Sequence, residues 1–581
     1  MKVDQKQLQL SIIEMGLLDK KQCDDISKKA EKNHQDFEDL LIIEGLVSQN
    51  KLSSLKAFIL GVPFVNLEGI IIPSEILKII PEPIARNHNI IAFRKDNNSL
   101  EVAMINPEDL ATIDFIGKKA NLRILPRLTT PDSIKNAMEQ YQKILEKEFG
   151  NIIKKETNDM LVKTNEKKEG EEELKKIAEE LPIIRIVDVL LKHAILQKAS
   201  DIHIEPSEKE MIVRYRIDGI LRDVLVLSVL INSGIVARIK VLSNLKLDEH
   251  RLPQDGRFKF ESEEYNYSVR VSILPIFDGE KIVMRLLSEN TKAISLEQLG
   301  LSGTTLEIVE GKLKKPIGMT LVTGPTGSGK TTTLYSILEI LNTSQVNIST
   351  IEDPVEYRIP RINQTQVNSK IGLTFASGLR SLVRQDPNVI MVGEIRDNET
   401  ASLAINASLT GHLVLSTLHT ISAAGAIPRL IDMEVEPFLL SSTLNIIIAQ
   451  RLVRKLSSKK EKYTLKSETL KNLSKYCDLD RVLQVLREEK VIKDKDTIKD
   501  VVFYHPQPSP ESPDGYSGRV GIYEVLNVTE TIKEMIVKRK SSDEIQAQAQ
   551  KEGMKTMIED GFVKAARGIT TIEEVLRVIM D

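Results

Sequence analysis

Residues 318–331 read GMTLVTGPTGSGKT, and no other stretch limits the possible folds of this chain as strongly. Residues 319–323 form a short apolar strand, and residues 324–331 fit G-x-x-x-x-G-K-T. From Thr331 onward TTTLYSILEIL reads as a helix. Gly324, Gly327 and Gly329 let backbone N–H groups turn inward around phosphate oxygens. Lys330 reaches the β- and γ-phosphates, and the Thr331 hydroxyl ligates Mg²⁺. With Pro325, Thr326, Ser328 and Thr332 these residues form the candidate nucleotide-binding set. Average residue usage gives the bare pattern by chance in about 2% of chains this long. The strand before it and the helix after it lower that figure further.

The 581 residues suffice for three or four domains, and 41% are hydrophobic. Charged residues make up 28% and nearly balance, leaving a formal charge of −3. That balance argues against a whole-chain nucleic-acid binder, so no nucleic-acid partner is expected. Cys23 and Cys477 lie far apart, which fits a reducing compartment and gives no disulfide framework. No apolar run reaches membrane-spanning length, and MKVDQKQLQL lacks the apolar core of a signal peptide. The expectation is a soluble, intracellular chain whose membrane role, if any, comes through a partner.

Along the chain, IIEMGLLDKKQCDDI (12–26) repeats as LIIEGLVSQNKLSSL (41–55), with Gly16 laid on Gly45. Each copy reads as helix, Gly-Leu turn, polar cap (Asp19 or Ser48) and second helix. Residues 62–145 read as a small α/β unit, with strands at VPFVNL and SLEVAMI and helices at PSEILKII and TPDSIKNAMEQYQKIL. The first domain therefore spans 1–145, and the Lys- and Glu-dense stretch 146–180 is a charged linker. A second domain, 181–290, opens with the helix IIRIVDVLLKHAILQ and continues in alternating strands (DIHIEP, MIVRYRID, FKFES, YNYSVRVSIL). Residues 295–455 alternate strand and helix, which implies an α/β domain with a mostly parallel sheet. Residues 456–520 read as an irregular insertion, and 521–581 as short helices.

Four constellations carry chemistry. VIMVGEIRD (389–397) is an apolar strand ending at Gly393-Glu394, where a carboxylate beside a phosphate loop holds Mg²⁺ or its water. VNISTIEDPVEYR (346–358) is a strand ending in Glu352-Asp353-Pro354-Val355-Glu356. Its carboxylates project from a corner fixed by proline, and one of them could orient attacking water; the other reading is a helix cap. TGHLVLSTLHT (410–420) sets His412 and His419 at the two ends of a strand, on opposite faces, so they cannot share a metal. One could sense the γ-phosphate while the other faces a neighbour; the plainer reading is one buried and one surface histidine. Arginines cluster at Arg214 and Arg216, at Arg251 and Arg257, and at Arg380 and Arg384. Arg214 and Arg216 share one face of a strand. They suit a clamp on phosphates from an adjacent domain or subunit, or salt bridges to Asp201, Asp218 or Glu205.

KASDIHIEP, VRYRIDG, RIKVLSNL, EHRLPQDGR, GPTGSGKT, TIEDPVEY, RQDPNVIMVGEIRD, TGHLVLSTLHT, AQRLVRKL and GYSGRVGIYEVL fall in this order between residues 183 and 526. Together they resemble the type II secretion and type IV pilus assembly ATPases, a family of hexameric motors. The resemblance implies a PAS-like domain (181–290) hinged to a RecA-like ATPase domain (295–455), with ATP in the cleft. It assigns Lys330 and Thr331 to phosphate and Mg²⁺, Glu394 to the second acidic motif, and Glu356 to water activation. His412 and His419 match its histidine box, and Arg214 and Arg216 the arginines offered to ATP. The implied activity is ATP hydrolysis driving pilus extension, with type II protein secretion as the alternative and a nucleotide-binding regulator without turnover as a third. The implied partners are a homohexamer, an inner-membrane platform protein and a cytoplasmic adaptor at the N-terminal domain. The implied location is cytoplasmic, peripheral to the inner membrane. Pilus retraction ATPases lack the N-terminal domain, which argues against retraction.

The sequence departs from the family twice. The family's two C-x-x-C zinc pairs are replaced by SSKKEKY (457–463) and SPESPDG (509–515), so no zinc is expected. Relatives that bind cyclic-di-GMP start each N-terminal repeat with Arg-Leu-Gly and close it with Gln. Here the second copy starts near Asp36-Phe37-Glu38 and closes near Ile59. Cyclic-di-GMP binding is therefore not expected, and the repeat reads as a docking surface.

Overall fold

The N-terminal repeat folds as four helices, Gln5–Glu14, Lys20–Asn33, Phe37–Ile43 and Gln49–Leu60. Gly16 (φ +67°) and Gly45 (φ +69°) make the left-handed turn after the first helix of each copy. Asp19 then accepts the Gln22 N–H at 2.8 Å, and Ser48 accepts that of Lys51 at 3.5 Å. The structure is a computed structural model that describes residues 5–33, 37–43, 45–96, 98–138, 140–141, 175, 178–261, 266–289, 294–509 and 512–580. The chain divides into two units. One holds residues up to Tyr215 with Asp223–Met284; the other holds Arg216–Arg222 and the residues from Arg285 on.

In the first unit β1 (Ile90–Asp96), β2 (Ser99–Met104) and β3 (Arg123–Leu128) form a sheet, with β1 antiparallel and β3 parallel to β2. VPFVNL, expected as a strand, makes only the single bridge Phe64–Leu128. Pro63 has no N–H to continue a ladder. The expected linker lies outside the described residues apart from 175 and 178–180. Helix Leu181–Leu196 precedes β4 (Asp201–Pro206), β5 (Glu210–Ile217), β6 (Ile220–Ser228), β7 (Gln254–Glu261), β8 (Asn266–Ile276) and β9 (Gly279–Ser288). Their sheet runs β6-β5-β4-β9-β8-β7. β6 escaped the sequence reading because ILRDVLVLS is half-exposed on both faces and shows no alternation.

The second unit is built on β10 (Gly318–Thr323), β11 (Ile348–Glu352), β12 (Ile362–Gln366), β13 (Val389–Val392), β14 (Leu413–Leu418) and β15 (Leu444–Leu456). A two-stranded ribbon pairs β16 (Lys460–Thr464) with β17 (Val502–Pro506), and β18 (Tyr516–Asn527) closes the main sheet. The order is β12-β11-β13-β14-β10-β15-β18, parallel except for the last strand. Both faces of the central strands are covered, so β10, β13 and β14 read as mostly apolar runs, whereas the edge strand β12 (INQTQ) is polar and half-exposed. Val322, Met391, Leu415 and Ile448 pack against helices Gly303–Leu313 and Lys330–Leu341. Leu321, Ile390, Val414 and Ile447 pack with helices Phe375–Leu382 and Asn398–Leu409.

Two expectations about the end of the chain are corrected. Residues 456–520 are not irregular: besides the ribbon they contain helices Ser467–Leu473 and Leu479–Glu488. Asp478 caps the second helix, and Val482, Val485 and Leu486 line its buried stripe at helical spacing, masked in sequence by polar neighbours. Residues 521–527 are not helical; they continue β18, buried from Val520 to Leu526 against β15.

Zinc does not fit the insertion. Cys477 donates its thiol to the Leu473 carbonyl at 3.6 Å, and burial pushes its pKa up to about 11, away from the thiolate that binds metal. Among the described residues no group of three or more His, Cys, Asp or Glu could hold a metal. The insertion instead shares an apolar core of Leu465, Val485, Leu486, Phe503 and Phe562, flanked by Glu489 paired with Lys555 and Arg567. A chelator should therefore leave the thermal midpoint in place and release no zinc. A drop of more than ~5 °C with zinc in the filtrate would contradict this account.

Candidate nucleotide site

Four parallel strands deliver the candidate groups at their C-terminal ends, where doubly wound sheets bind ligands. β10 runs into the phosphate loop, which closes on Lys330–Leu341 with Gly329 in the left-handed region (φ +88°). Gly324 (φ +146°) lies where a Cβ would sit 2.6 Å from the Gln450 carbonyl oxygen and 2.6 Å from Ser328 Oγ. Ser328 Oγ donates to the Pro325 carbonyl at 2.9 Å. Gln450, on β15, donates from Nε2 to the Ser328 carbonyl (2.7 Å) and accepts at Oε1 from Thr333 Oγ1 (2.8 Å). One side chain thus ties the loop to the helix that follows it. Pro325, Thr326 and Gly327 are exposed at the loop's crest, and Thr331 and Thr332 are half-buried in the first turn.

Lys330 Nζ donates to the carbonyls of Gly324 (2.9 Å) and Pro325 (3.0 Å). Burial pulls its pKa down, the Glu394 carboxylate opposes that, and the Arg451 guanidinium adds to it. Arg451 is itself buried, with Nη1 free of any hydrogen-bond partner, and burial lowers its pKa. Two cationic side chains therefore stand close to a glycine-rich loop that opens the helix Lys330–Leu341, a setting that attracts polyanions.

Glu394 follows β13. Thr417 Oγ1 donates to the Gly393 carbonyl at 2.7 Å, and the Ile395 N–H donates to the Thr417 carbonyl at 3.0 Å. The carboxylate is then shared by Arg396 (2.6 Å) and His419 Nε2 (3.2 Å). With the Thr331 hydroxyl it supplies hard oxygen donors of the kind Mg²⁺ takes.

β11 ends in Glu352, which is 2% exposed. Burial raises its pKa against three donors: Thr350 Oγ1 (2.6 Å), Tyr335 Oη and Gln364 Nε2 (3.2 Å). Glu352 is thereby committed to the interior, while Glu356, after the Asp353–Pro354 corner, is only half-buried.

The histidines separate. His419 meets Glu394 at the loop end of β14, whereas His412 precedes that strand, roughly 20 Å away along it. His412 Nδ1 lies 2.9 Å from the Ala407 carbonyl. Arg214 and Arg216 share the face of β5 opposite buried Val213 and Tyr215. The salt-bridge reading holds for Arg214, which pairs with Glu205 at 2.7 Å, and Lys281 joins that carboxylate at 2.8 Å. Burial would raise Glu205, but these two cations outweigh it and hold the carboxyl at about 2. Arg216 Nη1 donates to the Gly219 carbonyl at 3.0 Å. Arg380 pairs with Glu399, and Arg384 Nη1 donates to the Arg380 carbonyl at 2.7 Å. Arg251 and Arg257 are exposed. Gln450, Arg451, Arg396 and Tyr335 were given no role in the sequence reading, although the run AQRLVRKL carries the first two and VIMVGEIRD the third.

Residues 176–577 match the family described as type II/IV secretion system protein, and residues 60–148 match the MshEN domain. The chain is 37% identical over 569 residues to the type IV pilus assembly ATPase PilB of Myxococcus xanthus, covering 97% of each protein. It is 41% identical over 542 residues to the type II secretion system protein E of Xanthomonas campestris pv. campestris, covering 92% of each. The ATPase DotB of Yersinia pseudotuberculosis shares the fold, with a TM-score of 0.50 at 20% identity over 68% of this chain and 94% of that one.

Proposed function

Because the chain belongs to the type II/IV secretion system protein family and is a RecA-like α/β ATPase, we propose that it is the motor of type IV pilus assembly, driving extension. The observation that carries this reading is the end-to-end match to a pilus assembly ATPase, including the N-terminal region. The match to a type II secretion protein, over 92% of this chain at the higher identity of 41%, favours the second reading, a secretion ATPase.

In this reading Lys330 and the loop N–H groups bind the β- and γ-phosphates. Thr331 and Glu394 hold Mg²⁺, which neutralises charge on the phosphates when bound. His419 and Arg396 orient the Glu394 carboxylate. Glu356 takes the proton of the attacking water, lying past the corner that ends β11, whereas Glu352 is committed to the buried network of Thr350, Tyr335 and Gln364. Arg214, Arg216 and His412 act on nucleotide or on a neighbouring subunit within a homohexamer. The domain limits of the sequence reading, an inner-membrane platform partner, a cytoplasmic adaptor at the helical repeat and a cytoplasmic location belong to the same proposal. No helix among the described residues is long and apolar enough to cross a membrane, which is compatible with docking through partners.

Arg214→Ala is expected to lower turnover several-fold more than it weakens ATP binding, measured by phosphate release and nucleotide titration. Unchanged turnover would leave Arg214 as the structural partner of Glu205. The function itself is tested in cells carrying Lys330→Ala, by counting surface pili and assaying secreted proteins together. Loss of pili with normal secretion supports the pilus motor. Lost secretion with intact pili makes it the secretion ATPase, and loss of neither overturns both.

A further inference from the structure

The acidic corner is fastened to the phosphate-loop helix through one side chain. Tyr335 lies four residues after Thr331, so both project from one face of Lys330–Leu341. Its ring is 1% exposed and meets Tyr357 edge-on, with centroids 4.7 Å apart. Its hydroxyl donates to Glu352 Oε2 and accepts the backbone N–H of Glu356 at 3.2 Å. Gln364 closes the loop from the other side. Its Nε2 lies 3.4 Å from the Tyr335 hydroxyl and donates to the Tyr357 carbonyl at 3.1 Å, while its Oε1 accepts the Ile359 N–H at 2.8 Å. Every one of these bonds holds the 352–364 segment, and the tyrosine alone among these side chains comes from the helix that begins at Lys330 and Thr331.

We propose that Tyr335 is a positioning residue for ATP hydrolysis: its hydroxyl holds the backbone of Glu356 in register with the phosphate-loop helix. The proposal rests on the reading of Glu356 as the water-activating carboxylate. The hydroxyl does not touch substrate; it fixes the peptide N–H from which the Glu356 side chain springs. Misplacing a reacting group by about 1 Å costs on the order of a hundredfold in rate, so a single lost anchor has a measurable effect. Burial beside Glu352 keeps the phenol protonated, as its donor role requires.

The test is a double-mutant cycle on the full chain with Tyr335→Phe, Glu356→Gln and the pair. Phe keeps the ring against Tyr357 and removes only the oxygen. Tyr335→Phe should lower kcat by about 10- to 100-fold, with KM for ATP and the affinity for a fluorescent ATP analogue within about twofold. In the Glu356→Gln background the same substitution should cost no further rate, because the group it positions is gone. A loss that persists undiminished in that background, or no loss in kcat, overturns the proposal. If Glu356→Gln alone leaves kcat intact, the reading of Glu356 fails first, and the result is distinguishable. Should Tyr335→Phe not fold, half-buried Gln364→Ala probes the same anchor and should give a smaller kcat loss, again absent in the Glu356→Gln background; a loss that adds in full contradicts the proposal.

Discussion

Lys330→Ala is expected to lower ATP turnover by at least about a hundredfold while the melting profile stays in place. The Lys330 ammonium sits over the loop, donating to the carbonyls of Gly324 and Pro325, and feels the charge of Glu394. A phosphate entering the loop would exchange those two neutral partners for a charged one, a stronger bond in a buried setting. Alanine removes this cation and leaves the glycine turns, Ser328 and Gln450 as they are. Nucleotide binding should weaken as well, because the same charge serves substrate and transition state. Phosphate release and circular dichroism melts check both halves of the statement. Near-normal turnover would mean that nucleotide is not processed at this loop.

Glu356→Gln is expected to lower kcat by about a hundred- to a thousandfold with little change in ATP affinity. The contrast with Glu352 makes this prediction sharp. Glu352 is buried among Thr350, Tyr335 and Gln364, and its pKa is raised by that burial. Changing it to glutamine should disturb packing and stability first. Glu356 lies four residues on and is half-buried, and its backbone N–H donates to the Tyr335 hydroxyl. Steady-state kinetics and thermal melts on the two variants separate the cases. Loss of turnover confined to Glu352→Gln would exchange the two roles.

The phosphate loop was legible because its chemistry is local: three glycines, a lysine and a threonine sit within eight residues, between a strand and a helix. Glu394 was legible because an apolar strand must end where the sheet ends. The pairing of Arg214 with Glu205 stayed open, since neighbouring strands β4 and β5 can bring the two together or leave the cation free, and only register decides. Gln450 and Tyr335 were invisible for a different reason. Their partners lie 122 and 17 residues away, respectively, and a lone Gln or Tyr on an apolar element carries no spacing signal. The insertion at 456–520 misled because its surface is polar and its Pro-rich turn conspicuous, while the stripe Val482, Val485 and Leu486 occupies barely one helical face. β18 was read as helix because its run from Val520 to Leu526 is buried on both faces and has lost the alternation that marks an exposed strand.

The central claim is that this chain turns ATP over at the loop between β10 and Lys330–Leu341, with Thr331 and Glu394 as the divalent-cation ligands. The most direct measurement is phosphate release by the purified full-length protein, with Mg²⁺ and then with the cation chelated, alongside nucleotide binding in both conditions. The account predicts steady turnover with Mg²⁺ and its loss on chelation. ATP bound with no turnover in either condition would contradict it and make the protein a nucleotide-binding regulator.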